Sequence, residues 1–210
     1  MPFCRNYPEV IQVGLGKSGT STVQKYFTDR FAYNATCGAL LPNIIQADVD
    51  ARAPALVRAR QLCPHFYISE LARVYWPHES IQLQLTHLRE LRLAAPTALF
   101  VHCERAPTKW VSSVRRWNTL QARFTQRDLE GLPKGIGRTE QELSDWYSGV
   151  NSYLRLAFAY RTNYVRVDVD DPASLRALEA FCGAHAAPYP WVPVNVNPRT
   201  ENRSREAKGG

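Results

Sequence analysis

The stretch Val10-Ile11-Gln12-Val13-Gly14-Leu15-Gly16-Lys17-Ser18-Gly19-Thr20-Ser21-Thr22 decides how this chain is read. Val10–Val13 is a short apolar run of the kind that forms a buried strand. From Thr20 onward, Val23, Tyr26, Phe27 and Phe31 recur at helical spacing. A glycine loop lies between. Glycines let a backbone wrap an anion with its N–H groups, and the start of the helix adds partial positive charge. Lys17 adds a full charge, and Ser18, Thr20, Ser21 and Thr22 add hydroxyl donors. The stretch predicts a strand–loop–helix unit that holds a phosphate or sulfate group. A turn that merely connects strand to helix would need neither the lysine nor the hydroxyls.

Two common phosphate-loop patterns share some of its residues. The kinase pattern G-x-x-x-x-G-K-[ST] fails, because Gly14 and Gly19 have its spacing but Thr20 stands where the lysine belongs. The lysine is inside the loop instead. Ser21 still occupies the usual hydroxyl position, so a P-loop kinase or nucleotide hydrolase using ATP–Mg is a competing reading. The dinucleotide pattern G-x-G-x-x-G fits Gly14 to Gly19, but no clear acidic strand end follows where a ribose ligand would sit. A third reading is a non-catalytic nucleotide- or polyanion-binding protein on the same fold.

The rest of the chain alternates strands with helices. His65–Ser69, Ala98–His102 and Tyr164–Val169 are predicted strands, the second apolar throughout as in a strand buried on both faces. Helices are predicted near Ala55–Arg60, through Ile81, Leu85, Leu88 and Leu91, from about Thr108, and through Leu143–Phe158. Asp171-Pro172 supplies an N-cap and a first-turn proline for a helix carrying Leu175, Leu178 and Phe181. Residues 128–138 are predicted to be a loop. The pattern predicts an α/β fold: three layers, α/β/α, around a central parallel sheet, with ligands at the carboxyl ends of the strands. Residues 1–198 are assigned to one domain and 199–210 to a basic tail.

Composition bounds the partners. The chain has 210 residues, 45% of them hydrophobic, which suffices for a core without staples. The net charge of +7 points to an anionic partner, but the basic residues are scattered, so a nucleic-acid arm is not indicated. No apolar run approaches a membrane span and no leader pattern opens the chain, so no membrane association is expected. Cys4, Cys37, Cys63, Cys103 and Cys182 are odd in number and widely spaced, which predicts reduced thiols in a cytoplasmic protein. Cys103 and Cys182, in apolar stretches, are expected to be packing residues. Trp110, Trp117 and Trp146 fall at core spacing on helices and receive the same reading.

Lys17-Ser18-Gly19-Thr20-Ser21-Thr22 resembles the 5′-phosphosulfate loop of sulfotransferases, which use 3′-phosphoadenosine 5′-phosphosulfate (PAPS) as donor and release adenosine 3′,5′-bisphosphate (PAP). That family reads the 3′-phosphate with an arginine at a strand end and a serine eight positions later. Arg105 and Ser113 have this spacing after the Ala98–His102 strand, and Ala106-Pro107 is similar to the usual Asn-Pro. Asp145-Trp146-Tyr147 through Asn151, the Arg166–Asp168 strand, the Leu178–Gly183 helix end and Pro188-Tyr189-Pro190-Trp191 with Asn195 or Asn197 also look like family segments. Arg203, Arg205 and Lys208-Gly209 stand in the tail, where cytosolic members carry an Arg-Lys-Gly loop.

The resemblance implies a P-loop-like sulfotransferase fold. PAPS would be bound by Gly16, Lys17, Ser18, Gly19, Thr20, Ser21, Thr22, Arg105 and Ser113, without a required metal. Sulfuryl transfer is an in-line displacement that needs alignment, charge neutralisation on the leaving phosphate and a base for the acceptor's proton. Lys17 suits the second task. For the third, family members use Glu or His. Glu70, after the second strand, is the first candidate, and His65 and His102 are the alternatives. The acceptor is expected to be a small molecule. Tyr75-Trp76-Pro77 could line its pocket or simply anchor a loop, and the oligomeric state is not encoded in any readable way.

Overall fold

The computed structural model describes residues 3–35, 40–69, 71–75, 79–183 and 188–193. Glu70, Trp76, Pro77, Asn195, Asn197 and the basic tail with Arg203, Arg205 and Lys208 lie outside the described residues. A turn at Cys4–Asn6 leads into β1 (Val10–Gln12), α1 (Thr20–Arg30), α2 (Leu41–Asp50), α3 (Val57–Leu62) and β2 (Tyr67–Ile68). Next come β3 (Ala72–Tyr75), β4 (Glu79–Gln82), α4 (Leu83–Thr86), α5 (Leu88–Ala94) and β5 (Leu99–Glu104). The chain continues through α6 (Pro107–Arg116), α7 (Leu120–Thr125), α8 (Glu140–Ala157), β6 (Tyr164–Asp168) and α9 (Pro172–Cys182).

Four strands form a parallel sheet in the order β2-β1-β5-β6. Ile11 pairs with Ile68 on one side and Phe100 on the other, so β1 is central. Side chains alternate between faces, as the pleat requires. Ile11, Val13, Ile68 and Phe100 pack into a core with residues of α2, α3, α5, α6 and α8. Val10, Tyr67, Leu99, Val101, Cys103 and Val167 pack against α1 and α9 on the opposite face. All six residues of β5 are buried, matching its continuous apolar reading. These two cores make the α/β/α layering.

The long helices end where their sequence signals lie. Thr139 and Glu142 form a reciprocal capping box at the start of α8. The Asp171 side chain caps α9 through Ala173 N–H at 2.9 Å and Ser174 N–H at 3.3 Å. The Ile81–Leu91 periodicity is only partly helical. Ile81 lies in β4, paired with Arg73 of β3, and the helical run is broken at His87 into α4 and α5. A helix-like spacing yielded there to a non-local strand partner. The helix α2 had no counterpart among the sequence expectations.

The reduced-thiol expectation is corrected. Cys4 and Cys182 form a disulfide, and Cys63 is disulfide-bonded too. Cys182 is therefore a cross-link and not only a packing residue. Wide spacing concealed the pair because the end of α9 is adjacent to the Cys4–Asn6 turn only in the folded chain. Cys103 is a free, fully buried thiol whose pKa burial pushes up, as a packing residue's should be. Disulfides persist in oxidising compartments, so the cytoplasmic expectation loses the thiol argument it rested on. No helix among the described residues is long and apolar enough to cross a membrane.

Candidate functional site

The glycine loop joins β1 to α1 at the carboxyl end of the sheet. Gly14 is where the loop leaves the sheet, pressed against the backbone of Cys103 in β5 so closely that a Cβ would lie 2.3 Å from the Cys103 carbonyl oxygen. Gly19 is the N-cap of α1, with φ +86°, and a Cβ there would lie 2.4 Å from a Val169 methyl. Both positions require glycine. Gly16 is different: a Cβ would meet nothing within 4 Å. Lys17 holds φ +71°, a conformation that glycine adopts at lower cost, so what the position supplies is the lysine side chain. Ser18 and Thr20 are buried, while Gly16, Lys17, Gly19, Ser21 and Thr22 are half-buried.

One stripe of α6 faces this loop. Trp110, fully buried, donates its indole N–H to the Gly16 carbonyl at 2.9 Å. Two turns on, at the C-cap of α6, the Trp117 ring lies under the Lys17 ammonium, with Nζ 3.3 Å from the ring centroid. Ser113 stands between them at i+3 and i−4, on the same helical face, and is buried. Trp110 and Trp146 are packing residues as expected. Trp117 is not simply one, because its aromatic face orients the loop's cation.

Tyr147 of α8 joins the loop to the end of β5. Its hydroxyl exchanges a hydrogen bond with Ser18 Oγ at 3.0 Å and accepts one from the Arg105 backbone N–H at 3.0 Å. Its ring stacks on Trp110, with centroids 4.4 Å apart. Burial raises the phenol pKa, so it is a neutral bridging group. Tyr147→Phe keeps the ring but strands a fully buried serine hydroxyl and a backbone N–H. Each orphaned group costs about 1–3 kcal/mol, so a loss of roughly 2–3 kcal/mol is expected. Urea denaturation checks this as a lower midpoint with an unchanged slope.

Arg105 follows β5 directly. Its Nε and one terminal nitrogen grip Asp170 in the β6–α9 turn, at 3.1 and 2.9 Å, as a two-pronged ion pair. Lys109 lies 3.5 Å from the same carboxylate. The Arg105 and Asp170 side chains are 22% and 24% exposed, so the pair borders solvent. The same turn touches the glycine loop through Val169 and Gly19. The loop, the start of α6, Tyr147 and the β6–α9 turn thus surround one end of the sheet, with the cations Lys17, Arg105 and Lys109 among them.

The two candidate histidines, His65 and His102, are elsewhere. His102 in β5 faces α8, donating from Nε2 to Asn151 Oδ1 at 2.9 Å while Nδ1 accepts from the Tyr164 hydroxyl at 2.7 Å. Burial lowers its pKa and holds it neutral, a satisfied core histidine. His65 is exposed at the opposite end of β2, against Phe3. Neither is placed to take a proton near Lys17. Glu104, at the end of β5, is nearly buried and engaged by Arg155 at 3.1 Å and Arg166 at 2.8 Å. Arg115 and Arg116 are exposed on α6, as a solvated face should be, and Arg115 pairs with Glu140.

Sequence reasoning missed Asp170, Val169 and the roles of Trp117 and Tyr147. The only available signal was the seven-residue interval from Trp110 to Trp117, which places both on one face of α6. Comparisons with protein-family models, with curated proteins and with solved structures find no match for this chain.

Proposed function

We propose that this chain is a sulfotransferase with a P-loop-like fold, moving a sulfuryl group from PAPS to a hydroxyl or amine of a small acceptor. The observation that carries the reading is the bridge through Tyr147, which holds a lysine-bearing glycine loop beside a strand-end arginine. A donor with anionic groups at the 3′ and 5′ positions of one ribose suits cations that follow two adjacent strands, Lys17 after β1 and Arg105 after β5, at one end of the sheet. The loop N–H groups, Lys17 and the hydroxyls of Ser21 and Thr22 take the phosphosulfate. Arg105 takes the 3′-phosphate with its planar fork, aided by Ser113.

In the transfer the acceptor oxygen or nitrogen attacks sulfur, the bond from sulfur to the 5′-phosphate oxygen breaks, and PAP leaves. Lys17 neutralises charge developing on that oxygen. The acceptor's proton goes to a base, for which Glu70, two residues beyond β2, is the sequence candidate.

The test is thermal unfolding with PAP. At a hundredfold excess over Kd, binding adds about 2.7 kcal/mol. For a chain of this size that raises Tm by roughly 5–10 °C. Lys17→Ala is expected to abolish most of the rise while staying folded. A parent protein whose Tm responds to ATP–Mg²⁺ and not to PAP is a nucleotide kinase or hydrolase instead.

A further inference from the structure

We propose that Asp170 is an internal competitor for Arg105, a built-in carboxylate that the donor's 3′-phosphate must displace and that speeds release of PAP. The inference rests on the donor reading above and assigns a role in product exchange at the same site.

The carboxylate is held where it competes. The β6–α9 turn is tied at three points: Asp170 N–H donates to Asp168 Oδ1 at 2.9 Å, Ser174 Oγ accepts from Asp168 N–H at 2.8 Å, and Asp171 caps α9. Val169, next in the chain, abuts Gly19 of the glycine loop. Asp170 therefore cannot drift from the site when a ligand arrives. It uses both Nε and a terminal nitrogen of Arg105, the paired edge that a phosphate would use. The pair is partly exposed, so a ligand can reach it.

Charge sets the outcome. Arg105 and Lys109 carry two positive charges, and Asp170 cancels one of them. An incoming phosphate must break the ion pair and then sit beside the displaced carboxylate, a like-charge contact that weakens binding. A doubly charged phosphate outcompetes a singly charged carboxylate, but the carboxylate is always at hand to retake the arginine. Ligand exchange at the 3′ end becomes a swap of partners and not the exposure of an unpaired arginine. Differences of this kind appear mostly in the dissociation rate. Where product release limits turnover, faster release raises kcat.

The experiment compares PAP and adenosine 5′-monophosphate, which lacks the 3′-phosphate, on the parent, Asp170→Asn and Asp170→Ser, by calorimetry and stopped-flow tryptophan fluorescence. Removing the charge is expected to tighten PAP on the order of tenfold, mainly through slower dissociation. Affinity for the monophosphate is expected to stay within about twofold. In an Arg105→Ala background the Asp170 substitutions are expected to lose their effect on PAP. Asp170→Ser covers the case in which the amide misfolds the turn. If PAP binds a folded variant no more tightly than the parent, or if the monophosphate tightens equally, Asp170 is not a competitor for the 3′-phosphate. If neither nucleotide binds the parent or the variants, the donor reading falls and this inference with it.

Discussion

Gly14→Ala is expected to cost about 3 kcal/mol or more, one of the largest losses available to a single methyl group in this chain. A Cβ at this position would lie 2.3 Å from the Cys103 carbonyl oxygen and 3.1 Å from the Cys103 carbonyl carbon and amide nitrogen. All three are backbone atoms, so no side-chain rotation relieves the contact. Relief needs β1 and β5 to separate just beyond the Gln12–Val101 pair, or the glycine loop to leave its path. Either movement pulls on the Ser18–Tyr147–Arg105 bridge, coupling a packing defect to the site. Gly16→Ala is the internal control, since its methyl meets nothing within 4 Å. It is expected to fold with a urea midpoint near the parent's and to weaken PAP binding by crowding the loop's open side. Equal midpoints for Gly14→Ala and the parent would show that the strands are not this close.

Loss of the Cys4–Cys182 disulfide is expected to be the other large effect. The bond closes a sequence separation of 178 residues. Chain-entropy arguments assign a loop of that length about 5 kcal/mol. Whole domains are stable by only about 5–15 kcal/mol, so the double variant Cys4→Ser, Cys182→Ser stands near the edge of folding at physiological temperature. The structural reason is local as well as entropic. The cross-link holds the Cys4–Asn6 turn to the end of α9, and Cys4 N–H donates to the Tyr33 hydroxyl within the same aromatic cluster. Urea unfolding of the double variant against the oxidised parent is the measurement. An unchanged midpoint, or a parent whose Cys4 and Cys182 both react with a thiol reagent under native oxidising conditions, would falsify the staple.

Much of the fold was legible because its signals are local. The apolar run of β5, the Asp171 cap, and the glycine loop between β1 and α1 each depend on residues close in sequence. The hairpin strand β4 was not, since Ile81 becomes extended only by pairing with Arg73. The candidate site divides the same way. Lys17 and Arg105 carry recognisable chemistry at recognisable positions. Nothing around Asp170 or Tyr147 in the sequence says that one holds Arg105 by its side chain and the other by its backbone.

The amino-acid sequence by itself determined the strand–loop–helix order around the Gly14–Gly19 loop and the burial of β5, because backbone propensity, capping and periodicity act over a few residues. Only the tertiary structure decided which cysteines join, which carboxylate opposes Arg105 and which ring lies under Lys17. Those pairs are 178, 65 and 100 residues apart in sequence. Such contacts exist only once parallel strands and crossover helices have brought separate segments to one end of the sheet, and no local rule specifies them.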